Sequence, residues 1–251
     1  MKIVRFEAAG EIKFGILDGA EIKVVEGDIF SDYQISQEVI SLEAVKLLSP
    51  CVITKAVCVG LNYYGHALEM KLPLPEKPLL FLKPSSALNH PGGEIEYPKI
   101  SKNLHYEAEF AVVIKKQARN VKAEEAADYI LGYTCANDVT ARDIQLSDGQ
   151  WTRGKSFDTF LPLGPCIETD IDPNSINIKL YLNDELKQSS NTSDLIFKVP
   201  ELVAFVTEFM TLYPGDVILT GTPSGVGPME VGDVVTVELE GIGRLTNTIV
   251  K

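Results

Sequence analysis

Short apolar runs rich in β-branched residues, separated by glycine-containing turns, recur along most of this sequence. Such runs occupy residues 53–59, 79–82, 107–114, 129–136 and 234–239, and they are typical of β-strands. Helical periodicity is confined to two segments, 123–129 and 200–212. Because the strands do not alternate regularly with helices, a doubly wound parallel sheet is disfavoured. The pattern predicts a mainly β fold with mixed sheets and a few short helices.

The first fifty residues differ from the rest of the chain. Their strand-like runs are short and are broken by glycine turns, whereas the apolar runs lengthen after Pro50. We therefore predict a small N-terminal β domain, 1–50, followed by a larger domain, 51–251. A chain of 251 residues can bury a sizeable core without disulfides. Its four scattered cysteines are expected to be buried, reduced thiols.

Acidic residues outnumber basic ones, with 35 Asp and Glu against 23 Lys and Arg, so the formal net charge is −12. Such a chain repels phosphate backbones and anionic lipid heads, so neither nucleic acid nor a membrane is expected as a partner. No recognisable signal peptide or long apolar span is present, and a cytoplasmic location is expected. A small anionic substrate would require a metal ion or local lysines to overcome the global charge.

Three carboxylates carry the strongest chemical signal. Glu107 and Glu109 lie two residues apart in the run H-Y-E-A-E, and a strand would direct both side chains to one face. They repel each other unless a cation lies between them. Asp138, at the end of the predicted strand 129–136, can complete a site for a hard cation such as Mg²⁺ or Mn²⁺. The alternative is two solvated glutamates and an aspartate that caps a turn.

A histidine and a glutamate form the second signal. His66 and Glu69 are three residues apart, so a short helix would allow them to hydrogen-bond. A carboxylate beside an imidazole makes it a competent general base. Glycine on one side and prolines on the other also predict a mobile lid over 61–78. The alternative is a structural histidine.

Further polar residues could bind an anion. Lys83 ends an apolar strand and Lys155 follows a glycine, and beside a metal site either could bind an anionic substrate or stabilise an enolate. Either could equally be a surface lysine. Thr222 follows a strand in a glycine-rich turn that lacks the ending of a phosphate loop. Its hydroxyl and the neighbouring backbone amides could receive a substrate carboxylate.

Taken in order, these motifs resemble the fumarylacetoacetate hydrolase family. The matching elements are V-G-L-N-Y at 59–63, H-x-x-E-M at 66–70, F-L-K-P-S at 81–85, H-Y-E-A-E at 105–109, N-D-V-T-A-R-D at 137–143, K-S-F-D at 155–158 and G-T-P-x-G-V-G at 221–227. Each is weak alone, but the ordered set is specific. The first fifty residues also resemble the N-terminal extension of some bacterial members.

The resemblance implies a β-rich roll, usually a homodimer, with Mg²⁺ or Mn²⁺ held by three carboxylates. On this sequence the implied metal ligands are Glu107, Glu109 and Asp138, and the implied catalytic residues are His66, Glu69 and Lys155. The implied substrate contacts are Lys83, Arg142, Gln145 and Thr222.

The chain is most similar to the short acylpyruvate hydrolase and oxaloacetate decarboxylase branch of the family. We therefore expect a metal-dependent C–C hydrolase that acts on acylpyruvate-like 2,4-dioxo acids through an enolate, with the metal as Lewis acid. Decarboxylation of oxaloacetate and isomerisation of 2-hydroxyhepta-2,4-diene-1,7-dioate need the same enolate and remain alternatives. A catalytically silent binding protein on the same fold is the alternative from another class.

Overall fold

The computed structural model describes residues 1–71 and 73–251. In this part of the chain there are twenty β-strands, four α-helices and four short 3₁₀ helices. The first fifty residues form β1 (Lys2–Ala8), β2 (Glu11–Asp18), β3 (Glu21–Gly27), β4 (Tyr33–Ser41) and β5 (Lys46–Leu48). The 3₁₀ helices are Leu42–Ala44, Ser85–Ala87, Ala123–Tyr129 and Thr192–Asp194.

The larger part of the chain contributes the remaining elements. Its first half contains β6 (Lys55–Gly60), α1 (Tyr64–Glu69), β7 (Leu79–Pro84), β8 (Leu88–Asn89), β9 (Glu94–Glu96), β10 (Leu104–Tyr106), β11 (Ala108–Ile114), β12 (Ile130–Asn137), β13 (Thr140–Ala141), α2 (Arg142–Asp148) and α3 (Thr152–Lys155). Its second half contains β14 (Leu161–Glu168), β15 (Asn177–Leu182), β16 (Glu185–Asn191), α4 (Val199–Phe209), β17 (Val217–Leu219), β18 (Gly227–Met229), β19 (Val234–Leu239) and β20 (Gly243–Val250).

The strands form three sheets. The largest has the order β4-β3-β2-β1-β14-β12-β11-β17-β6-β7, with β5 paired to β1 and β8 paired to β14. A five-stranded sheet has the order β16-β15-β19-β20-β9, and a three-stranded sheet the order β13-β10-β18. Most pairs are antiparallel, but β6 and β17, β8 and β14, and β9 and β20 are parallel. The prediction of a mainly β fold with mixed sheets is confirmed.

The strands of the first fifty residues continue the largest sheet. β1 pairs with β14, and the register places Lys2 opposite Glu168. Phe6 and Ile22 are fully buried in the same core as Val57 and Phe110. This N-terminal unit therefore shares both a sheet and a core with the remainder of the chain.

Strand β11 lies at the centre of the molecule, and all seven of its residues are buried. Its side chains alternate between two cores: Phe110 and Val112 pack into one, and Ala111 and Val113 into the other. This alternation is the pleat of a strand that is covered on both faces. All four cysteines are also buried and free, as expected.

The two helical segments differ from their predicted forms. Residues 123–129 form a 3₁₀ helix rather than an α-helix. The second segment forms α4, which buries Leu202, Val203 and Val206 but ends at Phe209 rather than at residue 212. The backbone of Met210 is extended, and Leu212 then pairs with Ala118. Tertiary pairing therefore ends this helix earlier than its apolar periodicity indicates. No helix among the described residues is long and apolar enough to cross a bilayer.

Candidate active site

Three buried carboxylates meet where β11 and β12 pair. The register places Ala108 opposite Asn137, so the residue before Ala108 and the residue after Asn137 are neighbours. The Asp138 amide donates a hydrogen bond to the Glu107 carbonyl over 2.9 Å. One oxygen from each of Glu107, Glu109 and Asp138 lies within 4.8 Å of the others. The three side chains therefore converge as the sequence predicted.

Glu107 lies at a junction between two sheets rather than inside one strand. β10 belongs to the three-stranded sheet and β11 to the largest sheet, and Glu107 is the single residue between them. Its amide donates to Asn137 Oδ1 over 3.0 Å. Asn137 thus fixes the backbone of a site residue, a role that no sequence signal indicated.

Two cationic side chains contact these carboxylates directly. Lys155 Nζ lies 2.8 Å from Glu107 Oε2 and 2.6 Å from Asp138 Oδ2, and the Arg142 guanidinium contacts Glu107 Oε1. Burial alone would raise the pKa of Glu107, but Lys155 and Arg142 hold it well below its usual value. Burial would likewise lower the pKa of Lys155, but Asp138 and Glu107 raise it. With a side chain only 2% exposed, Lys155 is not a surface lysine.

Lys83, which was expected to contact substrate, is not among the residues that line the cavity, and its contact with substrate stays a prediction. Its side chain is fully buried, and Nζ donates to the carbonyls of Val139, Lys155 and Phe160 over 2.9, 2.6 and 2.7 Å. Nζ also lies 2.8 Å from Asp138 Oδ1. This burial lowers the pKa of Lys83, although Asp138 opposes the shift. Lys83 therefore supports Asp138 from inside the protein.

Glu109 differs from its two neighbours because it forms no ion pair within the described residues. Its Oε2 accepts a hydrogen bond from the Gly221 amide over 2.6 Å. Burial, and then the charges of Asp138 and Glu107, raise the pKa of Glu109 well above its usual value. An ionised Glu109 would therefore require a further cation.

The donor set fits a hard divalent cation. All three donors are carboxylates, which Mg²⁺ and Mn²⁺ prefer over softer ligands. Asp138 Oδ1 is buried without a hydrogen-bond donor in the described part of the chain, because the protons of Lys83 are directed to carbonyls. The formal charges of the three carboxylates are cancelled by Lys83, Arg142 and Lys155. A divalent ion would leave two net positive charges, which favours an anionic ligand.

The predicted histidine–glutamate pair lies on α1. His66 Nδ1 is 3.0 Å from Glu69 Oε2, and Glu69 also accepts hydrogen bonds from the Gly225 amide over 3.2 and 3.3 Å. The pair thus connects α1 to the glycine-rich turn, while its catalytic role stays a prediction. The proposed lid, 61–78, includes Leu72, which lies outside the described residues.

These groups surround a cavity of about 440 Å³. The three carboxylates, His66, Arg142, Gln145, Lys155 and Thr222 all line it. It is also lined by residues that were not expected from the sequence, namely His105, Phe81, Leu79, Trp151 and Val226. Burial and the charge of Arg142 lower the pKa of His105 to about 4, so this imidazole is neutral at pH 7.

A buried glutamine links the carboxylates to the glycine-rich turn. Gln188 Oε1 accepts from the Ala108 amide over 2.9 Å, and its Nε2 donates to Thr222 Oγ1 over 2.9 Å and to the Pro223 carbonyl over 2.8 Å. Ala108 lies between the two glutamates, so Gln188 fixes their strand relative to Thr222. In the polar run K-Q-S-S-N, nothing distinguishes this residue from a solvated one.

Comparison with protein families and curated proteins identifies related chains. The family described as fumarylacetoacetate (FAA) hydrolase C-terminal matches residues 55–250, and the family described as Rv2993c-like, N-terminal matches residues 1–50. An uncharacterized protein of Methanocaldococcus jannaschii is 50% identical, with 98% of each chain covered. A Xenopus laevis protein named mitochondrial oxaloacetate tautomerase is 42% identical and covers 86% of this chain and 72% of its own.

Solved structures match over the whole chain. The 2-hydroxyhepta-2,4-diene-1,7-dioate isomerase of Mycobacterium marinum is 41% identical, with a TM-score of 0.94 and coverage of 100% of this chain and 98% of the other. The maleylpyruvate hydrolase of a Sphingobium species, in complex with manganese(II) and pyruvate, is 30% identical, with a TM-score of 0.83 and coverage of 100% and 99%.

Proposed function

Because the chain belongs to the fumarylacetoacetate hydrolase family, we propose that it is a divalent-metal-dependent enzyme that converts a small 2-oxo acid through an enolate. The charge balance of the site carries this proposal. With a divalent ion, the buried carboxylates and their three cations have two net positive charges, which matches the two negative charges of a 2-oxo acid enolate. Opposite charges attract strongly when the groups that carry them are buried, as Glu109, Asp138 and Lys155 are here.

Each charged group has a distinct task in this proposal. Glu107, Glu109 and Asp138 would hold Mg²⁺ or Mn²⁺, which when bound supplies Lewis acidity toward the carboxylate and 2-oxo oxygens of the substrate. The buried ammonium of Lys155 stabilises negative charge on the enolate oxygen. Arg142, Gln145 and Thr222 orient the substrate carboxylate. The maleylpyruvate hydrolase complex contains manganese(II) and pyruvate, which supports a divalent ion and a 2-oxo acid as the ligands of this site.

The specific reaction that we propose is hydrolysis of the C3–C4 bond of an acylpyruvate. Glu69 orients His66, and the imidazole accepts a proton from a water molecule as the water oxygen attacks C4. The C3–C4 bond then breaks, and its electron pair forms the enolate of pyruvate. Protonation of C3 completes the reaction and yields pyruvate and a carboxylic acid. The hydrogen bond between His66 and Glu69 supports the water-activating role.

Keto–enol tautomerisation of oxaloacetate is the second candidate. The name of the Xenopus laevis relative supports it, and the reaction only moves a proton between C3 and the 2-oxo oxygen. The same enolate is formed, but no water is consumed. Decarboxylation of oxaloacetate and isomerisation of a dienedioate also use this enolate. Analysis of the products distinguishes these two reactions from acylpyruvate hydrolysis and from tautomerisation.

An assay of purified protein tests the proposal. Acylpyruvate hydrolysis lowers the ultraviolet absorbance of the diketone enol and releases pyruvate, whereas tautomerisation lowers the absorbance of enol-oxaloacetate without releasing pyruvate. Both activities should require Mg²⁺ or Mn²⁺ and should disappear with EDTA or with Asp138→Asn. Asp143→Asn is the matched control, because Asp143 bonds to Ser101 and Lys102 instead of facing the cavity. Metal-independent turnover would contradict the proposal.

A further inference from the structure

We propose that Trp151 and Phe81 form an apolar subsite for the part of the substrate beyond its 2-oxo acid end, and that they select an apolar substituent over a carboxylate. The inference rests on the proposed function and deepens it by naming a substrate class, the 2-oxo acids with an apolar distal group. Its support is the structure of the cavity wall on the side of Lys155.

The cavity wall begins at the Lys155 ammonium group and continues through the rings of Phe81 and Trp151. Lys155 Nζ lies 4.9 Å from the centre of the Phe81 ring. The centres of the Phe81 and Trp151 rings are 5.3 Å apart, with an angle of 70° between the rings, which is a favourable edge-to-face contact. A ligand bound by its anionic end near Lys155 would therefore place its next carbons against these rings.

The position of the indole is fixed from two sides. Trp151 is one helical turn before Lys155, whose amide donates to the Trp151 carbonyl over 3.0 Å. On the other side the ring packs on Gly60, where an added methyl group would lie 2.7 Å from Cζ3 and 3.0 Å from Cη2. Only glycine allows this approach. A rigid aromatic wall discriminates between ligands better than a mobile one, because less ordering is required on binding.

The charges of the cavity exclude a second carboxylate from this subsite. Among the described residues, the lysine and arginine that line the cavity are Lys155 and Arg142. Both contact the metal-site carboxylates, and the proposed function assigns both to the 2-oxo acid end of the substrate. His66 also lines it and is paired with Glu69. The apolar residues that line the same cavity include Leu61, Met70, Leu79, Leu146 and Val226. A distal carboxylate would lose its hydration here without gaining a cation.

The fluorescence of Trp151 provides a test that does not depend on turnover, because it is the only tryptophan in the chain. The wild-type protein with Mg²⁺ is titrated with 2-oxohexanoate and 2-oxohexanedioate. Both acids have six carbons, but one ends in a methyl group and the other in a carboxylate. We expect 2-oxohexanoate to change the fluorescence and to bind at least about tenfold more tightly. Shortening it to 2-oxopentanoate should weaken binding by about fourfold, the value of one buried methylene.

Substitution of the wall gives the second test. Trp151→Leu keeps an apolar side chain but removes the ring, so calorimetric titration should show weaker binding of 2-oxohexanoate and little change for pyruvate. Phe209→Leu is the control, since Phe209 is an exposed aromatic residue at the end of α4. Equal or tighter binding of the dicarboxylate, or no binding of either acid, would overturn the inference. Preferential binding of 2-oxohexanoate without any hydrolysis of acylpyruvates would support the subsite and contradict the proposed reaction instead.

Discussion

Lys83 approaches Asp138 to 2.8 Å from inside the protein, while its protons are donated to three backbone carbonyls. Lys155 contacts the other oxygen of the same carboxylate over 2.6 Å. Asp138 is therefore held between two buried ammonium groups, of which only Lys155 lines the cavity. Lys83 is therefore expected to contribute to the stability of the site, and Lys155 to its contact with substrate.

Lys83→Met should destabilise the fold by about 3–5 kcal/mol, the cost of removing one member of a buried ion pair. Three carbonyls also lose their donor. Urea denaturation measures the free energy of unfolding, and Lys99→Met, which changes an exposed lysine, should remain within about 0.5 kcal/mol of wild type. Wild-type stability together with a large increase in KM would instead indicate that Lys83 contacts substrate.

Glu109→Gln should have opposite effects in the absence and presence of metal. Without metal the substitution removes repulsion among buried carboxylates, so the Tm in EDTA should equal or exceed that of wild type. Added Mg²⁺ or Mn²⁺ should raise the Tm of wild type by mass action but that of the variant much less. Calorimetric scans with EDTA and with each metal provide the measurement. An equal metal-induced shift in both proteins would argue against Glu109 as a ligand.

His66→Ala should lower acylpyruvate hydrolysis by about 10²-fold or more, which is typical of a lost general base. Decarboxylation of oxaloacetate consumes no water and should be affected much less. Glu69→Gln should change hydrolysis in the same direction, because it removes the charge beside the imidazole. Steady-state rates for both reactions on one preparation give the comparison. If both reactions decline by the same factor, the pair does not act by activating water.

Asp216 should confer stability that depends on pH. Its carboxylate is buried and accepts hydrogen bonds from Thr54, Lys55 and Tyr213. Burial alone would raise the pKa of Asp216. The hydrogen bonds outweigh this effect and hold the pKa below its ordinary value of 3.8. Stability from this group is therefore complete above the unfolded-state pKa and is lost as the pH falls through the lower folded-state value.

Asp216→Ala should accordingly cost about 3 kcal/mol at pH 7, and the difference from wild type should shrink as the pH falls below the unfolded-state pKa of about 3.9. Urea denaturation at pH 7 and at pH 2.5 checks both statements. Asp128→Ala, at an exposed aspartate, serves as the control. A difference that is independent of pH would show that the carboxylate charge is not the source of the stability.

The convergence of Glu107, Glu109 and Asp138 could be predicted because it depends on local pattern. The two glutamates share a strand-like spacing, and Asp138 follows a recognisable apolar strand. The pairing of β11 with β12 then brings them together. The spacing and the order of the motifs were sufficient to predict that the three residues converge, but not that Glu107 lies just before β11 and donates its amide to Asn137.

The positions of Lys83 and Gln188 relative to the cavity could not be predicted from the sequence in the same way. Whether a side chain at the end of a strand faces a cavity or the interior depends on the segments packed against it, here Val139 and Phe160. Gln188 reaches Ala108 across eighty residues of sequence. Contacts of this range arise from sheet topology, which a periodicity does not specify.

The parallel pairing of β6 with β17 has a consequence for protein synthesis. Val57 of β6 cannot pair with Ile218 of β17 until Ile218 has been synthesised. At about 5–20 residues per second, the ribosome needs roughly ten to thirty seconds to produce the intervening chain. During this interval β7 covers one edge of β6, and the other edge of an apolar strand is free to pair with other chains. The free edge of β6 is thus open to aggregation until β17, Val217–Leu219, has been synthesised near the end of the chain.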